Sequence, residues 1–326
     1  MRSTDTPPSH PPQVDELLEI GMNQNPLQDV RIGTLVPGLI ADPASYIGEI
    51  VDHGFESFQI TFWKSIGDTD LADLAARVRS VLDGTGAVIS ALGIYGNPLE
   101  SDEDAEETRR SWNSVINHAG DFGTDIVAGF TGRIRDVPID ENIPRFVDVF
   151  GPIAESADTK GIRIAFENCA MEGNWQRGDW NIAHGPDAWE LMFDALGAEN
   201  VGLEWEPCHQ MINLIDPLPQ LRDWIPRIFH LHGKCATIHR DVVNKHGVRG
   251  SIPFAHHRTP GFGDCDWTAL ISDLRVGGYT GSIDIEGWHD PAYKDELEMT
   301  GQIHALHYLK KCRGGGFVPN PTGSLK

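Results

Sequence analysis

Four side chains of the types that bind metal ions stand at the ends of four separate apolar runs in the second half of the chain. They are Glu167, Glu206, His232 and Glu286. If these runs are consecutive parallel strands of a closed barrel, their C-terminal ends meet on one face and the four side chains converge there. Three carboxylates and one imidazole form an oxygen and nitrogen ligand set that suits a divalent ion. The pattern therefore predicts a metal centre at the mouth of a barrel.

Two of these strands carry a second candidate ligand. Glu204 shares a strand face with Glu206, and His230 shares one with His232, because side chains alternate along a strand. In each pair the later residue lies nearer the C-terminal end, so we assign the ion to Glu206 and His232. Glu204 remains the rival ligand. Its other role would be to pair with a cation inside the barrel.

Further residues beside the predicted ligands are candidates for contact with a substrate. We expect His209, three residues after Glu206, to touch the substrate, and Lys234 to neutralise an oxyanion or a phosphate group. An unpaired carboxylate at the end of a buried strand is costly. A metal or catalytic role for Glu167 is therefore favoured over a salt bridge to Arg163 or Lys234.

Four residues in loops over the expected mouth are predicted to bind substrate. They are Arg133, His256, Arg258 and Trp288. Arg133 follows Thr-Gly and Arg258 precedes Thr-Pro-Gly, and glycine lets a backbone approach a ligand closely. For the two arginines and His256, ordinary surface charge is the alternative interpretation.

The elements that must position these residues alternate regularly between strand and helix. Short β-branched or apolar runs predict strands at residues 29–36, 57–63, 87–94, 125–130, 161–167, 201–206, 227–232 and 281–286. Helical spacing predicts helices at 44–53, 71–82, 102–122, 143–160, 187–196, 218–224, 267–277 and 296–312. Eight such units, with the longest loops after the fifth and seventh strands, indicate an α/β fold of the (β/α)8 TIM barrel type. An open doubly wound sheet is the alternative.

The composition limits the partners of the protein. The chain has 326 residues, of which 40% are hydrophobic, and a formal net charge of −22. This acidic balance argues against a nucleic-acid or anionic-membrane surface, because phosphate contacts need clustered lysine and arginine. Small neutral or weakly charged molecules remain open as partners.

The termini and cysteines indicate the compartment. We expect residues 1–28 to form a loose N-terminal arm ahead of a single barrel domain at 29–326, since they lack the basic start and apolar core of a secretory signal. Without a run long enough to span a bilayer, a cytoplasmic protein is expected. The five cysteines are odd in number and have no CxxC spacing, so reduced thiols are predicted.

With these residues in place, the chain resembles the sugar phosphate isomerase/epimerase family, the xylose-isomerase-like TIM barrels, over residues 31–312. The segments that carry the resemblance include Glu167-Asn-Cys-Ala-Met171, His230-Leu-His232-Gly-Lys234 and Pro260-Gly-Phe-Gly-Asp-x-Asp-Trp267. The resemblance implies one divalent ion, with Mn2+ preferred over Mg2+, Co2+ or Zn2+, on Glu167, Glu206, His232 and Glu286. It also implies that two of the ligand glutamates move the proton.

Three departures from the family pattern concern the site. Glu206 stands where the family usually has aspartate, and Lys234-Cys235 replaces a usual Lys-Asp pair. The acidic pair that usually follows the last ligand is replaced by Gly287-Trp288-His289. The ion-binding core is therefore expected to be kept, while the substrate pocket is changed.

The leading functional hypothesis is a metal-dependent isomerase or epimerase that removes a proton next to the carbonyl of a ketose or keto-glycoside. Glu167 and Glu286, on opposite sides of the substrate, would take and return the proton. The alternative from the same resemblance is a carbon-carbon lyase, the catalytic subunit of a C-glycoside deglycosidase that cleaves 3-keto C-glycosides. A non-catalytic sugar-binding barrel is the third hypothesis. An endonuclease IV type of nuclease is disfavoured by the acidic charge.

The expected partner is a small sugar or glycoside, without nucleic acid or membrane. A homo-oligomer, or a hetero-oligomer with a small partner subunit, is left open.

Overall fold

The computed structural model describes residues 29–316, 318 and 321. Residues 30–315 form one compact unit. The predicted N-terminal arm, residues 1–28, lies outside the described residues. No helix in the described part of the chain is long and apolar enough to cross a membrane.

Eight parallel strands close into a barrel, which confirms the (β/α)8 prediction and excludes the open sheet. The barrel strands are β1 Arg31–Pro37, β2 Ser57–Trp63, β3 Val88–Tyr95, β4 Ile126–Gly129, β5 Arg163–Glu167, β6 Val201–Trp205, β7 Ile228–Gly233 and β10 Ser282–Ile285. Their order around the barrel is β1-β10-β7-β6-β5-β4-β3-β2. The first four strands therefore form one continuous arc of the wall, and β5, β6, β7 and β10 form the other.

Helices follow the strands and cover the barrel. They are α1 Pro43–Ile50, α2 Leu71–Leu82, α3 Glu103–Phe122, α4 Ile139–Asp158, α5 Pro186–Leu196, α6 Pro207–Ile212, α7 Pro217–Trp224, α8 Arg240–His246, α9 Trp267–Val276 and α10 Glu298–Cys312. Aspartate caps begin several of them: Asp42, Asp70 and Asp102 each accept hydrogen bonds from backbone N–H groups of the first helical turn. Apolar helix faces pack on the outside of the strands, as in the T-shaped contact of Trp112 with Phe166 of β5.

Several elements differ from the sequence predictions, among them α6, which begins at Pro207 where no helix was predicted. Helix α4 begins at Ile139 instead of residue 143, so Pro144 lies inside the helix. The stretch after β7, predicted to be irregular, contains an antiparallel hairpin of β8 Cys235–Ile238 and β9 Ala255–Arg258, with α8 between them. Both strands have only four residues, and β9 has the sequence Ala-His-His-Arg, so neither shows the apolar alternation that reveals longer strands.

The cysteine prediction is wrong for one pair. Cys235, at the start of β8, forms a disulfide with Cys265, which lies 30 residues later in the loop before α9. The two residues meet only because the hairpin folds back on that loop, and no local spacing announces this. Cys169, Cys208 and Cys312 are free thiols, as predicted.

Candidate active site

The four predicted ligands come together at the C-terminal end of the barrel. Glu167 is the last residue of β5, Glu206 follows β6, His232 lies in β7 and Glu286 follows β10. One ligand atom from each residue lies within 4.8 Å of those of the others. All four side chains are buried. The ends of these four strands thus meet around one point, as the sequence predicted.

The oxygen and nitrogen atoms of this cluster are suited to bind a divalent cation. His232 Nδ1 lies 3.3 Å from Glu286 Oε2, 3.4 Å from Glu167 Oε1 and 3.6 Å from Glu206 Oε2. Among the described residues, His232 Nδ1, Glu206 Oε2 and Glu286 Oε2 are buried without a hydrogen-bond partner. Buried polar atoms are rarely left unsatisfied. A positive ion between them would satisfy all three at once.

Burial and mutual repulsion also mark the cluster electrostatically. Burial raises the pKa of Glu167 to about 7, and the carboxylates of Glu286 and Glu206 push in the same direction, against the opposing effect of His232. Closely placed carboxylates cannot all hold their charge unless a cation compensates them. Burial also acts on Glu206 and Glu286, but His209 and Lys234 outweigh it at Glu206, and Lys234 outweighs it at Glu286, so the pKa of each is lowered. Glu167 is therefore the carboxylate that most needs an added positive charge.

A second layer of residues orients His232. Its Nε2 lies 2.8 Å from the side-chain oxygen of Gln59, and Gln59 Nε2 in turn donates to Glu204 at 2.6 Å and to the Tyr95 hydroxyl at 2.8 Å. An acceptor at Nε2 leaves Nδ1 as the free lone pair that faces the carboxylates. Gln59 was missed in the sequence, although a glutamine inside the buried strand Ser-Phe-Gln-Ile-Thr-Phe is a signal for such a role.

Glu204 lies deeper and already has partners. It accepts hydrogen bonds from Gln59 and Tyr95 OH, both at 2.6 Å, and contacts His230 Nδ1 at 2.9 Å. The other ring nitrogen of His230 lies 2.8 Å from Asp284. Although burial opposes it, this pair of carboxylates raises the pKa of His230. Glu204, His230 and His232 also group closely enough to hold a cation, but the hydrogen bonds of Glu204 favour the internal pairing over the rival-ligand role.

The backbone of Glu206 is fixed by a side chain from the neighbouring strand end. Asn168 Nδ2 donates to the carbonyl oxygen of Glu206 at 2.9 Å, and the Glu206 N–H donates to Asn168 Oδ1 at 2.8 Å. This amide continues the β5–β6 ladder one step beyond the strands. Asn168 directly follows Glu167 in the sequence. The positions of Glu167 and Glu206 therefore both depend on this short segment after β5.

Lys234 and His209, the two predicted substrate-contacting residues beside the ligands, lie against the carboxylates of Glu286 and Glu206 and line the cavity above them. Lys234 Nζ is 2.6 Å from Glu286 Oε1 and 4.0 Å from Glu206 Oε1. Burial opposes its charge, but these two carboxylates outweigh burial and raise the pKa of Lys234 well above its usual value. His209 Nε2 lies 2.7 Å from Glu206 Oε1.

A cavity of about 980 Å³ opens above this cluster, and its two sides differ in chemistry. The side above β1–β4 is lined by Leu35, Pro37, Leu39, Thr61, Trp63, Tyr95 and Phe130. The side above β5, β6, β7 and β10 is lined by Glu167, His209, Ile212, Asn213, His232, Lys234, His257, Glu286, Trp288 and His289. The loop after β5 contributes Cys169, Ala170, Met171, Glu172, Gly173, Asp179 and Trp180. We call the first group the apolar side and the second the polar side.

Of the four predicted substrate-binding residues in the loops, the structure brings only Trp288 to the cavity. Arg133 is fully buried and donates to the carbonyl oxygens of Val137, Asn174 and Trp175 at 2.6 to 3.1 Å. It therefore ties the loops after β4 and β5 together. A sequence cannot reveal such backbone partners, since the glycine before Arg133 suits a ligand or a tight loop equally.

In β9 of the hairpin, the histidine that lines the cavity is one residue later than the predicted one. His257 lines the cavity, whereas its neighbour His256 packs against His239 at 5.2 Å between ring centroids. Successive side chains of a strand face opposite sides, so an error of one position exchanges the two. Arg258 also lies outside the cavity lining and pairs with Asp290 at 3.2 Å.

His257 and His289 complete a row of imidazoles with His209. The His257 ring centroid lies 5.5 Å from that of His209 and 5.6 Å from that of His289. Burial, with the nearby charge of Lys234, lowers the pKa of His257 to about 4, so its imidazole is neutral at physiological pH. These two histidines were not assigned from the sequence, although Trp288-His289 was noted as a departure.

Comparison with known proteins agrees with this architecture. A curated relative, the inosose dehydratase of Clostridium tetani, is 30% identical over 116 residues, which cover 34% of this chain and 38% of that protein. The chain therefore matches well under half the length of that relative.

Two solved structures share the fold. One is the 3-keto-D-glucoside 4-epimerase of E. coli in its apo form, with a TM-score of 0.64, 16% identity and coverage of 87% of this chain and 100% of that one. The other is a D-psicose 3-epimerase solved in the presence of D-fructose, with a TM-score of 0.63, 18% identity and coverage of 88% and 100%. The family model described as xylose isomerase-like TIM barrel matches residues 47–312. This protein therefore belongs to the xylose isomerase-like TIM barrel family.

Proposed function

We propose that this protein is a divalent-metal-dependent sugar isomerase or epimerase that abstracts a proton next to the carbonyl of a ketose or keto-glycoside. The observation that carries the proposal is the convergence of four buried side chains that can bind a metal ion. Several of their oxygen and nitrogen atoms have no hydrogen-bond partner, and they lie on the floor of a cavity large enough for a sugar. The two solved epimerases of the same fold support this class of substrate.

The roles of the residues follow from their places in the cavity. Held by Glu167, Glu206, His232 and Glu286, the ion, with Mn2+ as the first candidate, would polarise the carbonyl oxygen as a Lewis acid. Glu167 and Glu286 both line the cavity, so one carboxylate can take the proton and the other can return it. The ammonium group of Lys234, beside Glu286, is placed to stabilise negative charge that develops on a substrate oxygen.

A lyase is the second candidate, because the same proton removal can expel a group from the adjacent carbon. The row of His209, His257 and His289 offers proton donors and acceptors for a leaving group on the polar side. The similarity to an inosose dehydratase also supports elimination as the outcome. In this reading the chain would be the catalytic subunit of an enzyme that cleaves 3-keto C-glycosides, together with a small partner subunit.

The test is solvent exchange. Full-length protein stripped with EDTA is supplied with Mn2+, Mg2+, Co2+ or Zn2+ in D2O and incubated with free ketoses or 3-keto glycosides, followed by NMR. We expect deuterium at the carbon next to the carbonyl only with metal, and none with Glu167→Gln. Exchange that continues at full rate in metal-free protein would refute the proposal. A new epimer or isomer identifies an isomerase, whereas release of aglycone identifies the lyase.

A further inference from the structure

The division of the cavity into an apolar and a polar side follows the order of the strands. Every metal-ligating side chain comes from β5, β6, β7 or β10, which lie side by side in the barrel. Among the described residues, β1–β4 and the residues directly after them contribute no charged side chain to the cavity lining. If the reacting part of a substrate lies at the ligand cluster, the rest of the substrate must therefore lie either along the histidines or across the apolar side.

The apolar side ends in an aromatic surface at the cavity mouth. Trp63, the last residue of β2, lies 5.2 Å from Trp180 and 6.5 Å from Phe130 between ring centroids. Phe130 in turn packs edge-on against Tyr95 at 5.2 Å. Trp63 is nevertheless 50% exposed, and Leu39 beside it in the lining is 52% exposed. A large aromatic side chain held half open at a cavity mouth is a natural contact surface for a flat ligand.

This surface is poorly matched to the hydroxyl groups of a free sugar. The polar side-chain groups that the apolar side offers are the hydroxyls of Thr61 and Tyr95 and the indole N–H of Trp63. The Tyr95 hydroxyl already donates to Glu204 at 2.6 Å and accepts from Gln59 at 2.8 Å. Most sugar hydroxyls buried there would lose their hydrogen bonds to water without replacement, which costs free energy. A planar apolar group makes no hydrogen bonds to water, so its burial there would not carry this cost.

The volume of the cavity points in the same direction. At about 980 Å³, it lies at the upper end of the range of roughly 300–1,000 Å³ that small-molecule sites occupy. A monosaccharide that reacts at the ligand cluster leaves much of this space unfilled. A second moiety attached to the sugar would fill the apolar side.

We propose that the apolar side of the cavity is a subsite for a planar aromatic group attached to the sugar, so that the substrate is an aryl glycoside and not a free monosaccharide. Trp63 and Phe130 form the contact surface, and Trp180 buttresses Trp63. The inference rests on the proposed function for the identity of the sugar part, but the aromatic subsite itself is a statement about binding.

The test compares two ligands that differ only in the attached group. Calorimetric titration of full-length, Mn2+-supplemented protein with phenyl and methyl β-D-glucoside gives the ratio of their dissociation constants. We expect the phenyl compound to bind about 10-fold more tightly. Trp63→Ala should bring the ratio close to one, and Trp63→Phe, which restores a ring, should recover most of it. Phe229→Ala is the control, because that half-buried aromatic residue lies at the start of β7, at the other end of the barrel.

Three results would overturn the subsite. The ratio is near one in the wild-type protein, or it is unchanged in Trp63→Ala, or Trp63→Ala dissociates an oligomer in sedimentation velocity, which would make the aromatic surface an interface between copies. These outcomes are independent of the chemistry, since deuterium exchange at the carbonyl carbon tests the proposed function without reference to the aryl group. A protein with the aryl preference but no metal-dependent exchange would keep the subsite and lose the enzyme assignment.

Discussion

Gln59 and His232, from strands on different sides of the barrel, meet with the glutamine oxygen 2.8 Å from the imidazole Nε2. The other ring nitrogen faces Glu167, Glu206 and Glu286. The hydrogen bond therefore selects the tautomer in which Nε2 carries the proton and Nδ1 is free to ligate. A residue of β2 thus orients a predicted ligand of β7, although β2 supplies none of the four predicted ligands.

Gln59→Leu should weaken Mn2+ binding by about 10- to 100-fold, the usual effect of removing a partner of a metal-bound histidine. The leucine keeps the volume of the side chain but removes the acceptor, so the ring can turn or change tautomer. Competition calorimetry with a chelator measures the affinity. Thr61→Val on the same strand serves as the control, and equal affinities in the two variants would show that Gln59 has no orienting role.

Glu206→Gln and Glu204→Gln should have opposite effects. Glu206 has an unsatisfied oxygen at the cluster, so its neutral variant should lose bound Mn2+ and still melt cooperatively. Glu204 accepts hydrogen bonds from Gln59, Tyr95 and His230, so its variant should keep the ion but lose about 1.5–3 kcal/mol of unfolding free energy. Elemental analysis and thermal melts decide. Loss of metal in Glu204→Gln alone would reverse the assignment of this strand.

Lys234→Met should lower kcat by about 100-fold with a smaller change in KM, because a charge that stabilises a developing oxyanion acts mainly in the transition state. The methionine keeps the apolar stem and removes the ammonium group beside Glu286. Steady-state kinetics on whichever ketose or keto-glycoside shows exchange provides the measurement. A rise in KM with unchanged kcat would instead assign Lys234 to ground-state binding.

His184 should make the fold less stable in acid. Burial, helped by the charge of Arg133, lowers the pKa of His184 to about 4, compared with 6.5 in the unfolded chain. The unfolded state therefore takes up a proton first, and stability is lost as the pH falls from about 6.5 to about 4.

The measurement is urea unfolding in EDTA at several pH values. The difference in unfolding free energy between pH 7 and pH 4 should shrink by about 2–3 kcal/mol in His184→Gln. His118→Gln, at an exposed position on α3, is the control. An identical pH dependence in all three proteins would contradict the assignment.

The meeting of the four predicted ligands was predictable because the sequence shows which residues stand at the ends of strands. In a barrel of parallel strands, the C-terminal ends lie at one face, so these residues come together. Glu167, Glu206, His232 and Glu286 needed only the order of the strands. Gln59 could not be found in the same way, because its partner is 173 residues distant and comes from a strand that is not its neighbour.

Other positions could not be placed from the sequence. Arg133 and Arg258 lie outside the cavity lining, where backbone carbonyls and Asp290 accept their hydrogen bonds. The histidine of β9 that lines the cavity is His257 and not the predicted His256, in a strand only four residues long. Cys235 and Cys265 meet through the same hairpin. In each case tertiary contacts, and not local pattern, decide the environment of a side chain.

The separation of the apolar side from the metal ligands has a consequence for recombination between members of the family. Under the proposed function, the first half of the barrel would shape what the substrate carries and the second half would supply the reacting centre. Exchange of the segment that contains β1–β4 would then graft a new specificity onto an existing centre. The graft would succeed only if the incoming half retained a glutamine at the position of Gln59 and a tyrosine at that of Tyr95, since these two side chains reach across the seam to His232 and Glu204. Ser57 and Ser90 donate hydrogen bonds to Asp284, and Thr34 donates one to Gln302, so these contacts between the two halves would have to be kept as well.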